Sequence, residues 1–255
     1  MPVFHHLYRA HSCGLRIALF GVGIALCSAV HASIVIQGTR IVFAAEAKEA
    51  TIQLNNEGQS PALVQAWLDR GAAQVSPSDI DVPFVITPTL FRVEPGKGQA
   101  LRIMYSGDPL PSDKESLFWL NVLDVAPKAK ETQDNSGTLR FVFRSRIKLM
   151  YRPTGLPGTP FEAPGQLRWS LVTNGTEGPV LQATNPSAYV VNLGRIDLQA
   201  GGQTFAAGSG YVLPGESASF PVQDASGHAL EGGSVVYSSL NDWGGSHHHN
   251  AALAP

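Results

Sequence analysis

The sequence predicts an all-β chain built as two β-sandwiches in series. Three observations predict it. From residue 33 onward apolar residues recur with a period of two, in short runs separated by Gly, Pro, Asn and Asp clusters. No window carries the 3.6 period of an amphipathic helix. A stretch rich in proline and glycine, RPTGLPGTP at 152–160, divides the runs into two series.

The first 32 residues stand apart. Arg9 and Arg16 precede an apolar run over 17–30, and VHA at 30–32 puts small residues at the −3 and −1 positions of a secretory cleavage site. The run is broken by glycines and is shorter than the ~20 residues a membrane span needs. A leader removed after Ala32 is the expectation, with no membrane insertion. Removing it, with Arg9 and Arg16, leaves 223 residues and 16 Lys+Arg against 20 Asp+Glu, a net charge of −4. That balance gives no bulk argument for nucleic acid or an anionic membrane. Cys13 and Cys27, the only cysteines, go with the leader, so the mature chain has neither a disulfide nor a thiolate metal site. Its stability must come from apolar cores, which two domains of roughly 100 residues each can supply.

The first series of strands is read at 51–54, 62–68, 100–105, 117–122 and 139–151, with turns at NNEG 55–58, EPGK 94–97 and SGDP 106–109. After the break come runs at 166–172, 180–184, 189–198, 203–205, 217–222 and 234–240. The organisation expected is thus a leader over 1–32, a first domain over 33–153, a second over 154–245 and, because GSHHHNAALAP lacks a strand pattern, a flexible tail over 246–255.

Little in the chain suggests catalysis. Nucleophilic mechanisms need a base beside the nucleophile. Outside the tail the mature chain has one histidine, His228, in the turn-like SGHALEGG. GESAS at 215–219 misses the G-x-S-x-G elbow and lies among strands, where it reads as a hairpin turn. His247, His248 and His249 lie in the tail without fixed geometry or supporting groups, so no metal site is assigned to them. No phosphate-cradling glycine loop is present and no cofactor is expected. Asn174-Gly-Thr176 matches an N-glycosylation acceptor, a pattern frequent by chance.

The stretch TLRFVFRSRIKLMYRP at 138–153 is unusual for a strand because it holds five cations. Sorted by parity, Leu139, Phe141, Phe143, Ile147, Leu149 and Tyr151 share one face, and Arg140, Arg144, Arg146 and Lys148 share the other. Two readings fit. One is a half-buried strand whose outer face is charged for solubility. The other is an edge strand, open to pairing and guarded by its charges.

RIKLMYRP at 146–153 resembles the signature of the periplasmic pilus-assembly chaperones, the immunoglobulin-like, PapD-like proteins of the chaperone–usher pathway. GTRIVF at 38–43, QAW at 65–67, TP at 87–88, RVEPG at 92–96, ESLFWLN at 115–121, TNP at 184–186, LPG at 213–215 and NDWGG at 241–245 follow in the family's order and span almost all of the mature chain. The resemblance implies two immunoglobulin-like sandwiches in a boomerang arrangement, a periplasmic location and no enzymatic role. It implies as partners pilus or fimbrial subunits and an outer-membrane usher. It also implies roles for particular residues. Leu139, Phe141 and Phe143 match the donor strand lent to a subunit, Arg40 and Lys148 the pair that anchors the subunit's C-terminal carboxylate, and Glu115, Arg152 and Asp242 the interdomain salt bridge. Strict alternation puts Lys148 on the face opposite the donor side chains, which calls for a bulge or strong twist near Ser145.

Two departures stand beside the match. The segment PKAKETQDNSG at 127–137 is slightly longer than in short-loop members, while the disulfide typical of long-loop members cannot form, which favours a short-loop or divergent relative; and the chain after Gly245 lacks the final strand pattern that the resemblance implies for the second domain. A structural pilin or adhesin module would explain the leader and the strands equally well, although not the matched cations. An exposed apolar edge would also allow the free protein to associate with itself.

Overall fold

The computed structural model describes residues 33–254 apart from 75, 126–140, 175–177, 226, 229 and 231. The leader, Leu139 and the 127–137 segment lie outside the described residues. Sixteen strands are found among the described residues, with two short 3-10 turns and no α-helix.

The first sandwich packs a four-stranded sheet, in the order β1 (Ile34–Ile36), β3 (Ala50–Asn56), β7 (Gly98–Tyr105) and β5 (Phe84–Thr87), against a five-stranded one. The latter runs β2 (Arg40–Ala44), β9 (Val142–Arg152), β8 (Ser116–Val125), β4 (Ala62–Asp69) and β6 (Leu90–Val93). Alternation does the work expected of it. Ala62, Val64, Ala66 and Leu68 of β4 and Phe118, Leu120 and Val122 of β8 point into the core with Phe43, Leu54, Leu101, Ile103 and Leu149. Burial of each large apolar side chain contributes about 1.5–3 kcal/mol. At the centre Phe84 packs edge-on against Phe43 at 5.5 Å and Phe118 at 5.0 Å.

The short strands that the alternation missed are the ones that change sheet. β1 pairs with β3 in one sheet, whereas β2 runs parallel to β9 in the other. Between them Gly38 takes φ = 133°, a conformation natural only to glycine. Similarly, β5 pairs with β7 and β6 with β4 across the turn at Thr87–Pro88.

The second sandwich packs the sheet β10 (Arg168–Asn174), β11 (Gly178–Thr184) and β14 (Ser217–Pro221) against β13 (Gln203–Val212), β12 (Val191–Ala200), β15 (Ser234–Leu240) and β16 (Ser246–Ala252). Trp169, Leu181, Ile196, Leu198, Phe220, Val235 and Tyr237 fill its core.

Two expectations are corrected here. Residues 246–252 are not a loose tail, because β16 pairs antiparallel with β15 from Leu240↔Ser246 to Ser234↔Ala252. Main-chain pairing needs no apolar alternation, and β15 would otherwise present a bare edge. The histidines are therefore fixed: His249 stacks on Tyr237 at 4.9 Å and its Nε2 lies 2.8 Å from Ser239 Oγ. GESAS is not a hairpin turn either, since β13 and β14, which it joins, lie in different sheets. His228 sits exposed in a turn beside the Phe205 ring.

Candidate functional site: an open strand edge ending in two cations

The structure decides between the two readings of the cationic strand. β8 pairs with β9 from Val125↔Val142 to Ser116↔Tyr151. On its other side β9 has β2 alone, and only over Lys148–Arg152. Among the described residues, 142–147 therefore keep one edge of main-chain donors and acceptors unpaired, in a sheet whose core is otherwise closed. The apolar residues at this end do not turn inward. Phe141 is 62% exposed, Val142 56% and Phe143 47%, and the two phenyl rings stack at 6.2 Å. Ile147, Leu149 and Tyr151, on the same parity, join the core.

The bulge expected near Ser145 is absent: Val122↔Ser145 lies in an unbroken register. Phe141 and Phe143 do lie on the face of the strand opposite Lys148. A guest strand laid alongside β9 would border both faces at once, so no bulge is needed for one guest to meet both sets.

Where the open edge ends, Arg40 and Lys148 are direct partners in the parallel pairing of β2 with β9. Lys148 Nζ donates to Asn192 Oδ1 at 2.7 Å and lies over the Tyr211 ring at 4.4 Å and the Trp119 ring at 5.6 Å. Arg40 Nη1 donates to the Leu240 carbonyl at 3.0 Å. Among the described residues neither cation is in a salt bridge. Burial pushes the Lys148 ammonium down to about 8, and the adjacent Arg40 charge adds to the effect. Burial also lowers Arg40, against the pull of Asp242. Two half-buried cations thus stand side by side, each hydrogen-bonded to a neutral group, an arrangement able to accept an anion.

Asn192 and Tyr211 come from the second sandwich, so the notch lies between the two. The expected triad crosses the same boundary. Arg152 Nε donates to Glu115 Oε1 at 2.6 Å, and its Nη1 and Nη2 grip the two Asp242 oxygens at 2.8 and 3.0 Å. Glu115, only 3% exposed, accepts the Val190 amide from the second sandwich at 2.7 Å. Burial opposes the Arg152 charge, but the hydrogen bonds of Asp242 and Glu115 outweigh it and hold the guanidinium more firmly protonated than usual. Burial dominates at Glu115 and raises its carboxyl above the usual range despite Arg152.

One cluster escaped the sequence reading. Arg144 and Arg146 are engaged rather than free for solubility. Arg144 Nε and Arg146 Nε donate to Asn121 Oδ1 at 2.9 and 3.0 Å, and Arg146 Nη2 reaches Asp69 Oδ1 at 2.7 Å. Asn121 is wholly buried and Asp69 is 1% exposed. Arg144 stacks over Trp67 at 4.9 Å and Arg146 over Trp119 at 4.8 Å. The available signal was parity: Trp67 with Asp69, and Trp119 with Asn121, fall on the same outer face. Their effect is to fasten the cationic face of β9 to β4 and β8, keeping its open edge extended.

Comparison with known proteins agrees with this geometry. Residues 33–157 match the family described as "Pili and flagellar-assembly chaperone, PapD N-terminal domain", and 162–251 match "Pili assembly chaperone PapD, C-terminal domain". The chain is 42% identical over 246 residues to the chaperone protein FimB/FhaD of Bordetella pertussis, covering 94% of this chain and 97% of that one. It is 40% identical over 232 residues to the probable fimbrial chaperone YadV of Escherichia coli, covering 90% and 93%. Among solved structures, the CupB2 chaperone of Pseudomonas aeruginosa superimposes with a TM-score of 0.70 at 40% identity, over 86% of this chain and 100% of that one. A chain from the Salmonella enterica SafA pilin–SafB chaperone complex does so with 0.70 at 29% identity, over 87% and 96%. On both family matches and on relatives similar over nearly its whole length, the chain belongs to the PapD family of pilus-assembly chaperones.

Proposed function

We propose that this chaperone acts in the periplasm, holding pilus or fimbrial subunits by strand donation and passing them to an outer-membrane usher. The observation that carries the reading is the edge of 142–147, unpaired among the described residues, with Phe141 and Phe143 exposed at its start and the Arg40–Lys148 notch at its end. A guest lacking one strand would pair with that edge through main-chain hydrogen bonds, and its pockets would take the apolar side chains. Its terminal carboxylate would sit between the two cations. Because that group is fixed at a chain end, gripping it sets where pairing starts. Strand exchange supplies the free energy for release, so the cycle uses no catalytic group and no nucleotide. Leu139 belongs to the same donor set by sequence.

The test is capture of a subunit encoded beside this chaperone. Phe143→Ser removes one anchor worth about 1.5–3 kcal/mol, so the subunit binds about 10- to 100-fold more weakly. The melting temperature should barely move, because the side chain is 47% exposed in the free protein. Undiminished capture would remove the donor role from this strand.

Capture should also depend on pH. Lys148 must be protonated to hold a carboxylate, and its folded value of about 8 lies below its ordinary 10.5. Affinity measured by titration calorimetry is therefore level below pH 7 and falls about tenfold between pH 7 and 9. The stability of the free chaperone has the opposite sign. The unfolded chain binds the extra proton between about 8 and 10.5, so this group adds stability as pH rises through that window.

A further inference from the structure

We infer that leader removal completes a buried ion pair, between the new α-amino group of Ser33 and Asp124. The inference rests on the export reading, in which the chain is cut after Ala32. Asp124 lies on the core-facing side of β8, is 7% exposed, and is the register partner of Phe143. Ser33 Oγ donates to its Oδ2. Its Oδ1 is buried and, among the described residues, has no hydrogen-bond partner. A buried carboxylate oxygen without a donor is costly, and native proteins rarely leave one so.

The donor it lacks is close at hand. The Ser33 nitrogen is three bonds from the hydroxyl already bound to Asp124. Ser33 is itself held in place, because its carbonyl accepts the Glu57 amide at 2.8 Å. The turn beside it is shaped to it: a Cβ at Gly58 would fall 2.9 Å from Ser33 Cβ. Before processing, the Ser33 nitrogen is an amide with one hydrogen and no charge. Hydrolysis of the Ala32–Ser33 bond leaves the carboxylate on Ala32 and an amine on Ser33, which is protonated at neutral pH and offers three donors. The charge-assisted bond to Asp124 then ties the start of the mature chain to the strand position facing Phe143, near the end of the open edge away from the notch.

Four proteins test this: a chain starting at Ser33, a chain retaining residues 30–32, and each with Asp124→Asn. With Asp124 intact, the Ser33-first chain should melt about 2–4 °C above the extended one, and Asp124→Asn should erase that difference. Equal melting of the two native chains, or a difference that survives Asp124→Asn, would overturn the ion pair while leaving export untouched. The mass of the exported protein reports on the other premise. Ser33 as first residue supports the inference, and any other first residue overturns it together with the assigned cleavage site.

Discussion

Lys148→Glu is expected to abolish recovery of a pilus subunit with the chaperone while leaving the fold intact. The wild-type notch holds two cations with no carboxylate of the described residues bonded to either, so a guest carboxylate there gains two charge-assisted bonds. In the variant, the carboxylate introduced at position 148 would face Arg40 directly and pair with it, closing the notch from within. A guest carboxylate would then meet a negative charge in a half-buried site. Loss of one member of a buried pair costs about 3–5 kcal/mol, a weakening on the order of 10²–10⁴-fold. Folding should survive because the new pair is self-satisfying and Lys148 lies outside both cores. Lys148→Met, which keeps the packing on Tyr211 and Trp119, should fall between the two. Calorimetry on the three proteins checks the order, and capture undiminished in Lys148→Glu would exclude the anchor.

Arg152→Ala is expected to cost stability rather than affinity, by about 3–5 kcal/mol. Among the described residues, this guanidinium is the one group bonded to carboxylates on both sides of the domain boundary. Without it Glu115 stays buried against the Val190 amide with its other oxygen unpaired. Burial already raises the Glu115 carboxyl, and removing Arg152 raises it further. A carboxyl whose folded value is raised takes up protons on folding, so its penalty shrinks as pH falls through that value. The deficit should thus be smaller at pH 5 than at pH 8, as urea denaturation at the two values would show. A loss below about 1 kcal/mol, or a larger deficit at pH 5, would mean that the triad does not brace the boundary.

Most of the strand content was legible because a half-buried strand imposes a period of two on its side chains. β3, β4, β7, β8 and β12 bury a full stripe of apolar residues, and each was visible. The strands that went unread bury little or are too short to show a period. β1, β2, β5 and β6 have three to five residues each, and β16 carries the run SHHHNAA. What holds β16 is main-chain pairing to β15 and a histidine ring laid on Tyr237, neither of which leaves a pattern in composition.

For the site the division is different. The motifs named Arg40, Lys148, Glu115, Arg152 and Asp242, and the fold brings the first two into register and the last three into hydrogen-bond contact. Parity alone treated the cations of β9 as one class. The structure separates them: Arg144 and Arg146 are consumed by Asp69, Asn121 and two indole rings, while Lys148 is held by neutral groups.

By itself the sequence determined the two all-β halves and the residues able to bind a carboxylate, because each is a matter of local pattern or residue chemistry. Only the tertiary structure decided which strand edge stays open among the described residues and which charges are already neutralised. Those properties depend on neighbours that are distant in the chain: β2 starts only at Arg40, opposite Lys148, and Asp69 reaches Arg146 across 77 positions.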